Sequence, residues 1–329
     1  MKKFINAKED IVKELLEGFE LLYGDIIEIR GRMVISRALA GADRVTVVTF
    51  GGAGHEPAQL GYVGEGMLDI QVVGDIFTAP GPADVLEALK LADKGHGVLL
   101  LVLNHAGDML TGDMVMRMAE IAGLNVRKVV TQEDISNAPR SDSENRRGLA
   151  GAIPLYHIAA AAAAQGKSLD EVAALAQNYA DAMATVAVAT SFATNPLTEE
   201  RMGELAEDEM LVGVGQHGEG GGGIQKFKNA AETARMMTDA LVADIPLRGG
   251  DTAFVMVNGS GATTMMELLI IYRECAKRLE ELGIRIVAHL LGELLTTQEQ
   301  SGFQLNFAKW DSETLALWNT HALTPAFRK

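Results

Sequence analysis

Gly97-Val-Leu-Leu-Leu-Val-Leu103, followed at once by Asn104-His-Ala-Gly-Asp108, decides the fold class. An unbroken apolar run of strand length, entered from a glycine and left into a polar turn, reads as a strand buried on both faces. Three more runs share this character: Arg44–Phe50 (RVTVVTF), Asp69–Gly74 (DIQVVG) and Asn125–Val130 (NVRKVV). Amphipathic stretches separate them, such as Ala83–Lys94 and Met114–Ala122. Strands alternating with helices predict a mainly parallel sheet flanked by helices.

Outward from this sheet, an alanine-rich helix is expected over Gly151–Gln165. Ser168-Leu-Asp-Glu171 has capping-box spacing and opens a helix predicted to run from Leu169 to Ala189. The loop Ser191–Glu199, with Asn195-Pro196 inside it, marks a boundary between residues 1–190 and 191–329. In the second part, strands are predicted at Met210–Gln216, Thr252–Asn258, Arg285–Leu291 and Phe303–Trp310. Helices are predicted at Lys226–Ala243 and Ala262–Leu282. The expected class is α/β: two α/β domains, the second smaller and mixed.

Composition narrows the function. The chain has 329 residues, 48% of them apolar, enough for two cores. A net charge of −15 disfavours a nucleic-acid partner, which calls for clustered Lys and Arg. The single cysteine, Cys275, excludes an internal disulfide and fits a reducing compartment. The start, MKKFINAKEDIVKELL, carries charges where a signal peptide would need an apolar core, and the longest apolar stretches fall short of a membrane span. A cytoplasmic protein is expected.

Ligands of α/β folds bind where loops leave the carboxyl ends of strands. Three such loops carry chemistry: Gly51–Pro57 (GGAGHEP), Asn104–Asp108 (NHAGD) and His217–Gly223. Gly51, Gly52, Ala53 and Gly54 form either a plain strand-to-helix turn or a ligand loop whose backbone N–H groups face a cavity. The Lys-Ser/Thr pair of a phosphate loop is missing, and G-x-G-x-x-G is not met. Asp108 either caps the next helix, predicted from Met109, or serves as a general base at a solvent-accessible loop. His217, between Gln216 and Gly218, is placed to act as a neutral imidazole nucleophile, with Glu219 a candidate to hold its Nδ1–H. Gly220–Gly223 is either a flexible lid or a spacer. The histidines His55, His105 and His217 match no compact metal motif, and no G-x-S-x-G elbow follows a strand, so neither a metal site nor a serine hydrolase is expected.

At these loops the sequence resembles the substrate-binding subunit family of dihydroxyacetone kinases. The matching segments are GGAGHEP (51–57), GDIFTAP (74–80), NHAGD (104–108), RRGLA (146–150), GVGQHGE (213–219) and VNGSGATTMME (257–267). Leu291–Phe303, Glu313–Trp318 and Thr324-Pro-Ala326 continue the match in family order. The resemblance implies that His217 forms a hemiaminal with the substrate carbonyl through Nε2. It implies that Asp108 acts on the reacting hydroxyl, that His55 is a second acid/base or hydrogen-bonding group, and that Gly52 to Gly54 line the bound triose. It also implies a homodimer and a separate helical nucleotide-binding subunit. That partner carries ATP directly, or a bound ADP recharged by a phosphotransferase-system protein, with Mg on its own aspartates; no cofactor is expected on this chain. Leu103 stands where the family often has lysine at the substrate pocket, and Gly220 where it usually has proline. The segment between Gly223 and Thr252 is shorter than in phosphotransferase-linked members. These departures leave two other readings open: a kinase for a four-carbon ketose such as erythrulose, or a non-catalytic ketose sensor that coactivates a transcription factor.

Overall fold

The computed structural model describes residues 2–329. They form two compact units, and neither is continuous in sequence. The first unit takes Lys2–Thr131, Ala152–Asn178 and Ala316–Lys329; the second takes Gln132–Gly151 and Tyr179–Leu315.

The first unit holds six strands: β1 (Ile27–Arg30), β2 (Met33–Ser36), β3 (Thr46–Ala53), β4 (Ile70–Ile76), β5 (Val98–Leu103) and β6 (Val126–Thr131). Their order is β1-β2-β4-β3-β5-β6, with β4, β3, β5 and β6 mutually parallel and the β1–β2 hairpin antiparallel at one edge. All six residues of β5 are buried, as its unbroken apolar run requires. Helices α1 (Ile11–Tyr23), α2 (Pro82–Ala92), α3 (Ala106–Ile121) and α4 (Ala152–Ala164) accompany this sheet, and α5 (Leu169–Ala182) starts in the same unit. One core joins Val85, Leu89, Val115 and Ala119 of α2 and α3 to Val48, Phe50, Leu100 and Val102 of the strands. The expected capping box opens α5, where Ser168 Oγ accepts from Glu171 N–H and Glu171 Oε2 accepts from Ser168 N–H.

The second unit also has six strands: β7 (Met183–Ala189), β8 (Glu209–Val212), β9 (Gly223–Lys226), β10 (Thr252–Gly259), β11 (Arg285–Gly292) and β12 (Gly302–Lys309). Their order is β11-β10-β12-β7-β8-β9, and every pair except β10–β11 is antiparallel. Helices α6 (Ala230–Asp244) and α7 (Met265–Glu281) pack on it, each opened by a complete capping box, at Asn229/Glu232 and Thr264/Glu267. Helix α8 (Ser312–Trp318) returns the chain to the first unit.

One prediction fails in an instructive place. The helix expected over Leu169–Ala189 ends at Ala182, and Met183–Ala189 is a strand paired with β12. The alanines of MATVAVA look helical, but three of its seven residues, Thr185, Val186 and Val188, are β-branched and favour a strand. A cut after residue 190 therefore falls just beyond a strand that belongs to the second sheet. The strand predicted over Met210–Gln216 stops at Val212, and the chain then turns through Gly213, whose φ is +71°.

Candidate functional site

In the first unit, the carboxyl ends of β3, β4 and β5 bring together three of the segments picked out from sequence. The residues Gly51, Gly52 and Ala53 are not loop residues: β3 continues through Ala53, pairing Gly52 with Gly74 and Ala53 with Ile76. Their small size serves packing. A Cβ on Gly52 would lie 2.6 Å from Thr78 N, and one on Gly74 would lie 2.0 Å from Thr78 O. The 75–80 segment thus folds back over the strand ends at backbone distance. Gly54, at φ +104°, faces the Phe77 ring in the same way, and its N–H donates to Glu56 Oε1 at 2.9 Å. His55 is buried, with its ring centroid 5.0 Å from that of Phe77.

The same folded-back segment meets the start of α3. Thr111 Oγ1 donates to Pro80 O at 3.0 Å, and a Cβ on Gly107 would stand 3.5 Å from Ala79 Cβ. Here a second correction arises. His105 is the N-cap, so α3 begins at Ala106 and Asp108 lies inside its first turn rather than capping it or standing on an accessible loop. Asp108 is 9% exposed, and its Oδ1 has no hydrogen-bond partner among the described residues. Burial pushes its carboxyl up to about 7. Leu103 closes β5, buried and paired with Thr131.

His217 stands on the second unit, in the loop that joins β8 to β9. The glycine run at Gly220–Gly223 feeds β9, since Gly223 pairs with Val212 and Gly222 N–H donates to Val212 O at 2.9 Å. Glu219 takes hold of the loop itself. Its Oε2 accepts from the backbone N–H of His217 at 2.9 Å, and its carbonyl accepts from Gly215 N–H at 2.7 Å. The His217 side chain is half-buried. Burial, aided by the positive charge of Arg147 and opposed by Glu219, holds its imidazole below the usual histidine range. The neutral imidazole is therefore favoured at pH 7.

Arg147 is the residue that sequence reasoning passed over. Its guanidinium donates to Asp134 Oδ2 through Nε at 2.9 Å, to Gly213 O at 2.9 Å and to Glu219 O at 3.2 Å, and Nη1 lies 3.3 Å from Glu219 Oε1. A Cβ on Gly215 would sit 1.9 Å from Glu219 Oε1 and 2.5 Å from Arg147 Nη1, so this grip demands glycine there. The available signal was the doublet Arg146-Arg147 in an otherwise acidic chain. Asp134 is fully buried, so Arg147→Met strands a carboxylate without its cation. The expected cost is about 3–5 kcal/mol of stability, read by denaturant unfolding, and a second change Asp134→Leu should recover much of it.

Among known proteins, the Dak1 domain matches residues 17–326, and the chain belongs to that family. It is 35% identical over 314 residues to the PTS-dependent dihydroxyacetone kinase 1, dihydroxyacetone-binding subunit DhaK, of Listeria innocua, covering 95% of both chains. It is 32% identical to the L-erythrulose 1-kinase of Mycolicibacterium smegmatis, covering the whole of this chain and 58% of that protein. The solved structure of the dihydroxyacetone kinase operon co-activator Dha-DhaQ superposes with a TM-score of 0.89 at 30% identity, covering 95% of this chain and 97% of that one.

Proposed function

We propose that this chain is the substrate-binding subunit of a short-chain ketose kinase, dihydroxyacetone being the reference substrate. The observation that carries the reading is a neutral, half-buried His217 on a loop fixed by Glu219 and Arg147. Its Nε2 lone pair adds to the ketone carbon, and the carbonyl π pair moves to oxygen. That oxygen takes up a proton while Nδ1–H gives one up, leaving a neutral hemiaminal. A polyol has no carbonyl to capture, so this bond selects ketoses. Asp108, ionised, accepts the proton of the terminal hydroxyl as its oxygen attacks phosphorus. His55 and the backbone of Gly51 to Gly54 are assigned to hold the triose. Leu103 is buried, so its influence on substrate choice acts through the end of β5.

No segment of the chain matches a nucleotide loop, so the phosphoryl group is assigned to a separate helical subunit carrying ATP or ADP with Mg, recharged in the latter case by a phosphotransferase-system protein. A homodimer and a cytoplasmic location complete the proposal; no described helix is long and apolar enough to cross a membrane. Two further readings rest on specific likenesses: an erythrulose kinase subunit, and a ketose-sensing coactivator. The experiment is to supply purified chain with ketose, ATP and Mg, alone and with a helical nucleotide-binding subunit of a dihydroxyacetone kinase. Turnover only in the mixture supports the kinase. Turnover by the chain alone overturns the two-subunit reading, and ketose binding without turnover in either case favours the sensor.

A further inference from the structure

Two stretches to which the family resemblance assigns no role, Val257–Glu267 and Leu291–Phe303, build one arch in the second unit. The fully buried side chain of Asn258, near the end of β10, accepts from the N–H groups of Leu294 and Leu295, both at 2.9 Å. Its Nδ2 donates to Leu295 O at 2.8 Å. Farther along, Thr297 N–H donates to Ser260 O at 2.9 Å, Gln300 N–H to Thr297 O at 3.1 Å and Ala262 N–H to Gln300 O at 3.1 Å. The arch is thus tied to β10 and the residues that follow it at Leu294, Leu295, Thr297 and Gln300.

At the inner side of this arch, Thr297 is 2% exposed, and its hydroxyl donates to Gln216 O at 2.8 Å. That carbonyl belongs to the peptide joining Gln216 to His217. A hydroxyl has one proton to give, and here it goes to the bond immediately before the nucleophile. The same arch also comes near the residue that follows His217. Gln300 Nε2, buried and without a hydrogen-bond partner among the described residues, would lie 3.8 Å from a Cβ on Gly218. Arg147 fixes the loop at one end, through Gly213 O. Glu219 and Thr297 hold the two sides of one peptide, Glu219 at the His217 N–H and Thr297 at the Gln216 carbonyl.

We propose that Thr297 is a positioning residue for His217: its hydroxyl sets the peptide plane from which the imidazole projects, and so the angle at which Nε2 meets a ketone carbon. This rests on the reading of His217 as the covalent site. Misplacing a reacting group by about 1 Å costs on the order of 10²-fold in rate, so loss of one buried tether at this point should be visible in the chemistry. Threonine to valine removes the hydroxyl at nearly constant shape, and threonine to serine keeps it.

The test mixes wild type, Thr297→Val and Thr297→Ser with dihydroxyacetone labelled with 13C at the carbonyl carbon. Carbon NMR then separates the free ketone from the tetrahedral adduct, and kcat and KM are measured with the partner subunit present. Near-ultraviolet circular dichroism reports whether each variant is folded. The expected result is a folded Thr297→Val in which adduct falls about tenfold or more and kcat falls by roughly 10²-fold, with Thr297→Ser close to wild type in both. Wild-type adduct in Thr297→Val overturns the proposal, as does an equal loss in the valine and serine variants. If valine at this position unfolds the protein, Thr297→Ala against Thr297→Ser makes the same comparison. A wild type that shows only the ketone carbon overturns the covalent reading itself, a failure distinct from the first.

Discussion

Turnover of the reconstituted kinase should fall by about 10²–10⁴-fold in Asp108→Asn, the usual range for removal of a general base. The pH dependence should change with it. Because burial lifts the Asp108 carboxyl to about 7, the wild type loses its base as pH drops below neutrality, and kcat should climb as pH rises through that region. Asparagine has no proton to lose, so the variant's profile should lack this limb. Stability runs in the opposite sense. A carboxyl whose folded value exceeds its unfolded value contributes stability at low pH that is lost as pH rises through the folded value. Asp108→Asn should therefore be at least as stable as wild type at pH 8 in urea unfolding. A variant with full turnover and an unchanged pH profile would remove Asp108 from the chemistry.

The second large effect belongs to His217→Ala. No protein-bound tetrahedral carbon, distinct from that of the free hydrate, should form with labelled dihydroxyacetone, and discrimination between the ketose and glycerol should collapse. Hydrogen bonds to hydroxyls remain in the variant, but both ligands offer those equally. Competition by glycerol, weak in wild type, should become comparable to the binding of the ketose itself. A variant that still prefers the ketose strongly would show that selectivity comes from the hydroxyl contacts and not from His217.

What could be read from the chain and what could not divides along physical lines. The apolar runs at Val48, Val72 and Leu100 announced a sheet buried on both faces, because such burial leaves no polar alternation. The residues GGAGHEP, NHAGD and His217 were visible because glycine and histidine stand out beside apolar strands. The conformations around them were less legible. Gly51 and Gly52 look like a turn until Gln59 is found against the first and Thr78 against the second, contacts that no local pattern records. The start of α3 was missed because His105 is a poor capping residue, and this moved Asp108 from a surface loop into a buried first turn. Arg147 and Thr297 were illegible for a related reason. Their partners lie 66 and 81 residues away, at Gly213 and Gln216, and no local periodicity records such a bond.

The last residues of the chain bear on how the protein comes into being. The tail from Ala316 to Lys329 is part of the first unit, where His157 Nε2 stands 3.1 Å from Trp318 O and Leu323 N–H donates to Glu65 O at 2.9 Å. The Lys329 ammonium rests 4.6 Å above the Trp318 ring. On the ribosome, domains ordinarily complete themselves in the order in which they are made. Here the unit begun first cannot be closed until residues 316–329 are made, after every strand of the second sheet has been synthesised. A nascent chain must hold the unsealed edge around Glu65 and Gly66 open until that segment appears, and a break in the chain between residues 309 and 316 damages the unit that was begun first.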